Sequence, residues 1–166
     1  MVKYVFTILS FEEMDRLGAL LAETLPDGAV VGLIGTLGAG KTRLTQAIAA
    51  ACGVDPTEVT SPTFVLIQEY YGDRNLYHFD LYRLDRDVEF QNLGPDEYFE
   101  SDGITLLEWA DKFEHLLPLE RVTIQIDIVS STARRVTISA VGAKYTAFLD
   151  AMRRSDACVE VHSRLI

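Results

Sequence analysis

The segment Gly35-Thr36-Leu37-Gly38-Ala39-Gly40-Lys41-Thr42 constrains this chain more than any other. It follows an apolar run, Ala29-Val30-Val31-Gly32-Leu33-Ile34, whose lack of alternation reads as a strand buried on both faces of a parallel sheet. It precedes a helical pattern from about Thr42 to Cys52, with Leu44, Ala47, Ile48 and Ala51 on the inner face and Gly53 placed to end it. Strand, glycine loop and helix in that order make a phosphate cradle. Glycines let successive backbone N–H groups turn inward around phosphate oxygens, where side chains would block them. Lys41 then reaches the β- and γ-phosphates, the Thr42 hydroxyl takes a place on Mg²⁺, and the helix adds the positive end of its dipole. Chance supplies such a pattern in under about 1 % of chains this long, so the segment is read as the P-loop of a nucleotide-binding protein. Gly35, Leu37, Gly38, Ala39, Gly40, Lys41, Thr42 and the adjoining Arg43 are its candidate nucleotide-binding residues.

Around the loop the pattern is that of a three-layer α/β domain, a mainly parallel central sheet extended by antiparallel strands. Residues 2–9 read as a strand. Ser10 with Glu13 forms a capping box, opening a helix whose stripe is Phe11, Met14, Leu17, Leu21 and Leu25. Thr63 to Tyr71 and Leu76 to Tyr82 read as strands joined by the turn Gly72-Asp73-Arg74-Asn75. Short helical pieces are expected within residues 85–100, and a further apolar strand from Ile104 to Trp109. Val122, Ile124, Ile126 and Ile128 alternate with polar residues, as do Val136, Ile138 and Ala140, which predicts a half-exposed antiparallel pair. Residues 1–142 are read as one P-loop domain and 143–166 as a helical tail of the same domain.

At 166 residues the chain has enough material for one substantial core. No apolar run approaches the roughly 18–20 residues that span a bilayer, and Glu12, Glu13 and Asp15 follow the short N-terminal apolar stretch at once. The expectation is a soluble cytoplasmic protein without a signal peptide. The formal net charge of −10 argues against an unaided grip on nucleic acid, whose affinity comes mostly from neutralised phosphates. Cys52 and Cys158 lack any CxxC spacing and are expected to be free thiols.

A P-loop enzyme needs an acid at a neighbouring strand end to complete the Mg²⁺ shell, and a group to orient water. Asp80 ends a stretch in which Leu76, His78, Asp80 and Tyr82 share a face, and Glu108 ends the apolar run Ile104-Thr105-Leu106-Leu107. Spacing does not rank the two, and both stay candidates as metal ligand and catalytic group. His78 reads as a hydrogen-bonded, partly buried histidine in preference to a proton relay. Trp109 is either a core aromatic or a cover over the nucleotide.

Four segments in order carry a resemblance. The glycine loop, Thr60-Ser61-Pro62-Thr63-Phe64, Leu76-Tyr77-His78-Phe79-Asp80-Leu81-Tyr82-Arg83-Leu84 and Leu107-Glu108-Trp109 resemble the TsaE (YjeE) family across about residues 5–141. The resemblance implies a Mg²⁺-dependent ATPase, binding ATP and ADP, that drives turnover of the complex making the threonylcarbamoyl modification of adenosine 37 in tRNA. It implies TsaB and TsaD as protein partners, with tRNA met only through that complex. Residue by residue, it puts Lys41, Asp80, Glu108 and Trp109 in the catalytic set, and Thr42, Asp80 and Glu108 at the metal. It likens Ser61-Pro62-Thr63 to a switch-I loop, which brings Thr63 to the nucleotide. It places adenine near Leu9 or Ser10 and Thr132.

Two other readings stay open on the residues. A small-molecule kinase would want an Arg-rich lid, whereas residues 84–100 carry only Arg86 and are acidic. A nucleotide-dependent switch that regulates partner assembly uses the same loops as an ATPase. The sequence shows no evident arginine finger, since neither Arg43 nor Arg83 is placed to guarantee reach to a γ-phosphate. A P-loop site lacking one is slower by about 10³–10⁵, so partner-stimulated turnover is the expectation.

Overall fold

The computed structural model describes residues 2–155 and 158–162. Strand β1 (Val2–Ile8) leads to helix α1 (Phe11–Thr24), strand β2 (Val30–Ile34) and helix α2 (Lys41–Ala51). Strands β3 (Ile67–Tyr70) and β4 (Leu76–Asp80) follow, then helices α3 (Asp87–Gln91) and α4 (Pro95–Phe99) and strand β5 (Ile104–Glu108). A 3₁₀ segment (Ala110–Leu116) leads to β6 (Arg121–Ile128) and β7 (Arg134–Val141), then α5 (Thr146–Arg154) and β8 (Cys158–His162). The strands form one sheet in the order β3-β4-β5-β2-β6-β7-β1-β8. The centre is parallel, β4 with β5, β5 with β2 and β2 with β6. Antiparallel pairs extend it on both sides. No described helix is long and apolar enough to cross a membrane.

Three layers result because β2 and β5 bury both faces. Val31 and Leu33 point into the core shared with Met14, Leu17 and Leu21 of α1 and Leu44 and Ile48 of α2. Val30 and Leu107 point the other way, among Phe90 of α3 and Phe113 of the 3₁₀ segment. That two-sided burial explains the run without alternation at residues 29–34. β6 and β7, by contrast, keep the predicted alternation and pair antiparallel, Ile124 opposite Ile138.

Several expectations need adjustment. Phe11, counted on the inner stripe of α1, is 71 % exposed, because it begins the helix ahead of the layer it would pack on; Ala51 is exposed at the far end of α2. The capping box is modified: Ser10 Oγ accepts from the Glu13 amide at 3.2 Å, but the Glu13 carboxylate takes the Leu9 amide at 2.6 Å. The strand expected from Thr63 starts only at Ile67, since the amides of Val65 and Leu66 turn back onto the Pro62 carbonyl. The strand expected to reach Tyr82 stops at Asp80, and that expected to reach Trp109 stops at Glu108, where Trp109 has φ 61°.

The tail differs most from expectation. Helix occupies 146–154 only, and Cys158–His162 is a strand pairing antiparallel with β1. Phe148 and Met152 of α5 are buried in the α1/α2 core. Just before α5, the buried Tyr145 hydroxyl accepts the Val30 amide at 3.1 Å, tying the tail to the first residue of β2. Cys52 is a buried free thiol, and burial pushes its pKa up; the side chain of Cys158 lies outside the described residues. The Tyr145 bond predicts that Tyr145→Phe, which strands the Val30 N–H in the core, costs about 1–3 kcal/mol. Urea unfolding followed by circular dichroism reads that loss as a lower midpoint at unchanged slope.

Candidate phosphate and metal site

The site begins with backbone geometry at the C-terminal end of β2. A Cβ at Gly35 would stand 2.6 Å from the Ile126 carbonyl oxygen, so only glycine lets the chain leave β2 against β6. Gly40 sits at φ 111°, a left-handed conformation that turns the chain into α2. Unlike α1, α2 has no side-chain cap and no acid in its first turn. Its first-turn N–H groups therefore stay available to an anion, with the helix dipole behind them.

Lys41 opens α2 and is 5 % exposed. Its Nζ donates to the Gly35 carbonyl at 2.7 Å and the Thr36 carbonyl at 3.1 Å. The same ammonium lies 3.8 Å from the centre of the Trp109 ring. Removal from water holds its pKa below the ordinary lysine value, while Glu108, Asp80 and Asp111 pull it back up. Trp109, at its left-handed turn after β5, thus serves as the floor of the lysine, and it also meets the Tyr82 ring at 4.9 Å.

The two acids arrive together. Parallel pairing of β4 with β5 puts Asp80 directly beside Glu108 at the strand ends. Alternation then turns His78, Asp80, Leu106 and Glu108 to the α2 side, while Phe79 and Leu107 fill the opposite core. Asp80 is 2 % exposed and Glu108 3 %. Glu108 Oε1 accepts from Thr42 Oγ1 at 2.7 Å and lies 2.8 Å from His78 Nε2. Asp80 Oδ2 accepts from Ser61 Oγ at 2.5 Å and Thr63 Oγ1 at 2.7 Å, while Oδ1 takes the Tyr82 amide at 3.0 Å. Two buried carboxylates therefore face one buried ammonium. Buried charge demands compensation, and a cation held beside Thr42 would add to what the hydrogen bonds supply.

The remaining candidates divide. Leu37 stands exposed at the loop tip. Leu9 and Ser10 follow Ile8, which pairs with Arg134 across β1 and β7, and Thr132 lies in the turn before Arg134, so both segments come to the outer side of the loop. Arg43 points elsewhere: it donates to Asp15 at 2.5 Å and lies over the Phe11 ring. Arg83 lies over the Phe64 ring at 4.5 Å. His78, expected to be partly buried, is fully buried.

Sequence reasoning passed over Arg134. Its Nε donates to the Ala39 carbonyl at 3.0 Å and its Nη2 reaches the Gly38 carbonyl at 3.4 Å. Its Nη1 holds the Ser130 and Ala133 carbonyls. Arg134 thereby occupies the Gly38 and Ala39 carbonyls, while the Ala39 amide donates to the Thr36 carbonyl at 3.1 Å. One of two adjacent arginines, Arg134 and Arg135, at the head of an alternating strand carries no signal of this role; the fold alone reveals it. Arg134→Met should weaken binding of a fluorescent ATP analogue by about 5–30-fold, the worth of one or two kcal/mol of charge-assisted hydrogen bonding. Unchanged affinity in the folded variant would remove Arg134 from the site.

Comparison with known proteins shows the family. The family model "Threonylcarbamoyl adenosine biosynthesis protein TsaE" matches residues 8–136. The tRNA threonylcarbamoyladenosine biosynthesis protein TsaE of Bacillus subtilis is 40 % identical over 146 residues, 87 % of this chain and 90 % of that protein. The protein of the same name from Haemophilus influenzae is 38 % identical over 133 residues, 76 % of this chain and 83 % of that one. The crystal structure of Bacillus subtilis YdiB superposes with a TM-score of 0.76 at 36 % identity, covering 93 % of this chain and 97 % of that chain. The chain belongs to the TsaE family.

Proposed function

We propose that this protein binds ATP with Mg²⁺ and hydrolyses it to drive turnover of the complex that makes N6-threonylcarbamoyladenosine at position 37 of tRNA. The observation that carries the reading is the hydrogen bond from Thr42 Oγ1 to Glu108 Oε1, with Asp80 beside Glu108 in register and Lys41 near enough for both acids to act on its charge. Among the described residues no three His, Cys, Asp or Glu side chains form a metal cage. A set of one hydroxyl and one or two carboxylates suits Mg²⁺, which usually shares its shell with water and substrate phosphates. Bound there, Mg²⁺ would neutralise charge on the phosphate oxygens. Thr42 and Asp80 would hold the cation.

The protein's own contributions follow from position. Loop amides and the α2 N-terminus bind phosphate oxygens, and Lys41 exchanges the Gly35 and Thr36 carbonyls for the β- and γ-phosphates. Glu108 orients the attacking water and accepts its proton, and Trp109 shields the lysine from solvent. No described arginine contacts the acid pair: Arg43, Arg83 and Arg134 each have other partners. That arrangement supports slow hydrolysis by the chain alone and faster hydrolysis with TsaB and TsaD, with tRNA approached through them. A cytoplasmic setting follows from the same role.

One observation favours a second reading, a nucleotide-dependent switch. Ser61 and Thr63 both donate to Asp80, so whatever engages Asp80 acts on the loop that displays Phe64, 82 % exposed, and Val65 beside it. Phosphate release by Glu108→Gln, Asp80→Asn and Lys41→Ala, alone and with TsaB and TsaD, separates the readings. On the ATPase reading Glu108→Gln keeps nucleotide affinity and loses at least about 100-fold in turnover, the scale of one lost general base. Asp80→Asn loses Mg²⁺-dependent affinity, and Lys41→Ala loses affinity by one to two orders of magnitude through charge-assisted bonds of about 1.5–3 kcal/mol each. Wild-type turnover in Glu108→Gln with partner binding still set by nucleotide would favour the switch.

A further inference from the structure

His78 is fully buried, and one of its two ring nitrogens has no partner. It sits in the middle of β4, between Gln68 of β3 and Leu106 of β5, on the face that also carries Asp80. As core filler it is a poor choice: a leucine there would bury no polar atom, whereas the imidazole leaves Nδ1 unpaired away from water. What the ring gains is a single contact, Nε2 to Glu108 Oε1 at 2.8 Å.

That contact selects a tautomer. With the proton on Nε2, the ring donates to the carboxylate and leaves only a bare Nδ1 lone pair. With the proton on Nδ1, a lone pair would face the carboxylate oxygen and an N–H would be orphaned in the core. Glu108 Oε1 then receives two donors, Thr42 Oγ1 and His78 Nε2, while Oε2 makes no hydrogen bond to a described residue. The two donors differ in kind. Thr42 belongs to the phosphate loop, and its hydroxyl is the group the metal would engage. His78 belongs to the sheet and hydrogen-bonds to no residue of the phosphate loop, so it is the tether that stays.

We propose that His78 is the positioning residue for Glu108: its Nε2–H fixes Oε1 to the sheet and thereby presents Oε2 to the attacking water. The proposal rests on the ATPase reading above and assigns His78 no contact with substrate. It is a support of the kind that holds a reacting group in one rotamer, whose loss typically costs 10–100-fold.

The test uses reach. A glutamine amide places its nitrogen where Nε2 stands, and an asparagine amide stops where Nδ1 stands. His78→Gln, His78→Asn and the donor-free His78→Met are compared for single-turnover hydrolysis, for affinity towards a fluorescent ATP analogue with Mg²⁺, and for thermal midpoint. The expected result is turnover in His78→Gln within about five-fold of wild type and a loss of about 10–100-fold in His78→Asn and His78→Met, with affinities alike. Ring ¹⁵N shifts of the nucleotide-free wild type should show a protonated Nε2 and a bare Nδ1, a readout independent of activity and of any variant's folding. Equal turnover in all three variants, a loss confined to affinity, or an Nδ1–H tautomer would overturn the role of His78. A wild type that releases no phosphate, alone or with its partners, would instead count against the ATPase reading itself.

Discussion

Everything functional in this protein depends on the register between β4 and β5. Parallel pairing aligns Asp80 with Glu108 at the strand ends, and side-chain alternation turns both toward the start of α2. A slip of one residue in either strand would send its acid into the opposite core, where Phe79 and Leu107 pack. The register is held by burial on both faces, since every residue of β5 is buried. Packing therefore fixes the electrostatics: two carboxylates and one ammonium are gathered out of water, where charge is costly unless paired and hydrogen-bonded.

From that pair, separate hydrogen-bond chains run outward. Glu108 connects to Thr42 of the phosphate loop and His78 of the sheet. Asp80 connects through Ser61 and Thr63 to the loop that ends in the turn at Pro62–Leu66. A third support comes from behind, where Arg134 of β7 holds the carbonyls of Gly38 and Ala39. The phosphate loop is thus braced by both halves of the sheet, the parallel centre and the antiparallel extension. This gives the antiparallel strands a role in the site beyond closing the core, because the first residue of β7 is the arginine brace.

The loop itself was legible in the sequence because its glycines, lysine and threonine each have a backbone or phosphate reason to be there. Asp80 and Glu108 were legible as strand-end acids, but not their pairing, which is a property of register and not of spacing. The resemblance supplied what spacing could not, the order of four motifs. His78 was read as a satisfied histidine because a partner 30 residues away leaves no local trace. Strand β8 was missed although Cys158-Val159-Glu160-Val161-His162 carries a two-residue alternation, since a short run after a helical pattern reads as its continuation. Phe11 was misplaced for a physical reason: periodicity counts faces, and at a helix's first residue the face has no layer yet to pack on.

The central claim is that Thr42 and Asp80 form one site for the cation that accompanies a nucleoside triphosphate, with Glu108 beside it in register. The most direct measurement is a crystal structure with Mn²⁺ and a non-hydrolysable ATP analogue, the metal located by its anomalous signal. The account predicts a single metal peak within direct coordination reach of Thr42 Oγ1, about 2.0–2.2 Å as expected for a small hard cation. It also predicts that the metal meets an oxygen of the acid pair, with Lys41 moved from the Gly35 and Thr36 carbonyls onto phosphate. A metal or triphosphate bound away from Thr42, with Glu108 still held by the threonine and the lysine still on its own loop, would contradict it.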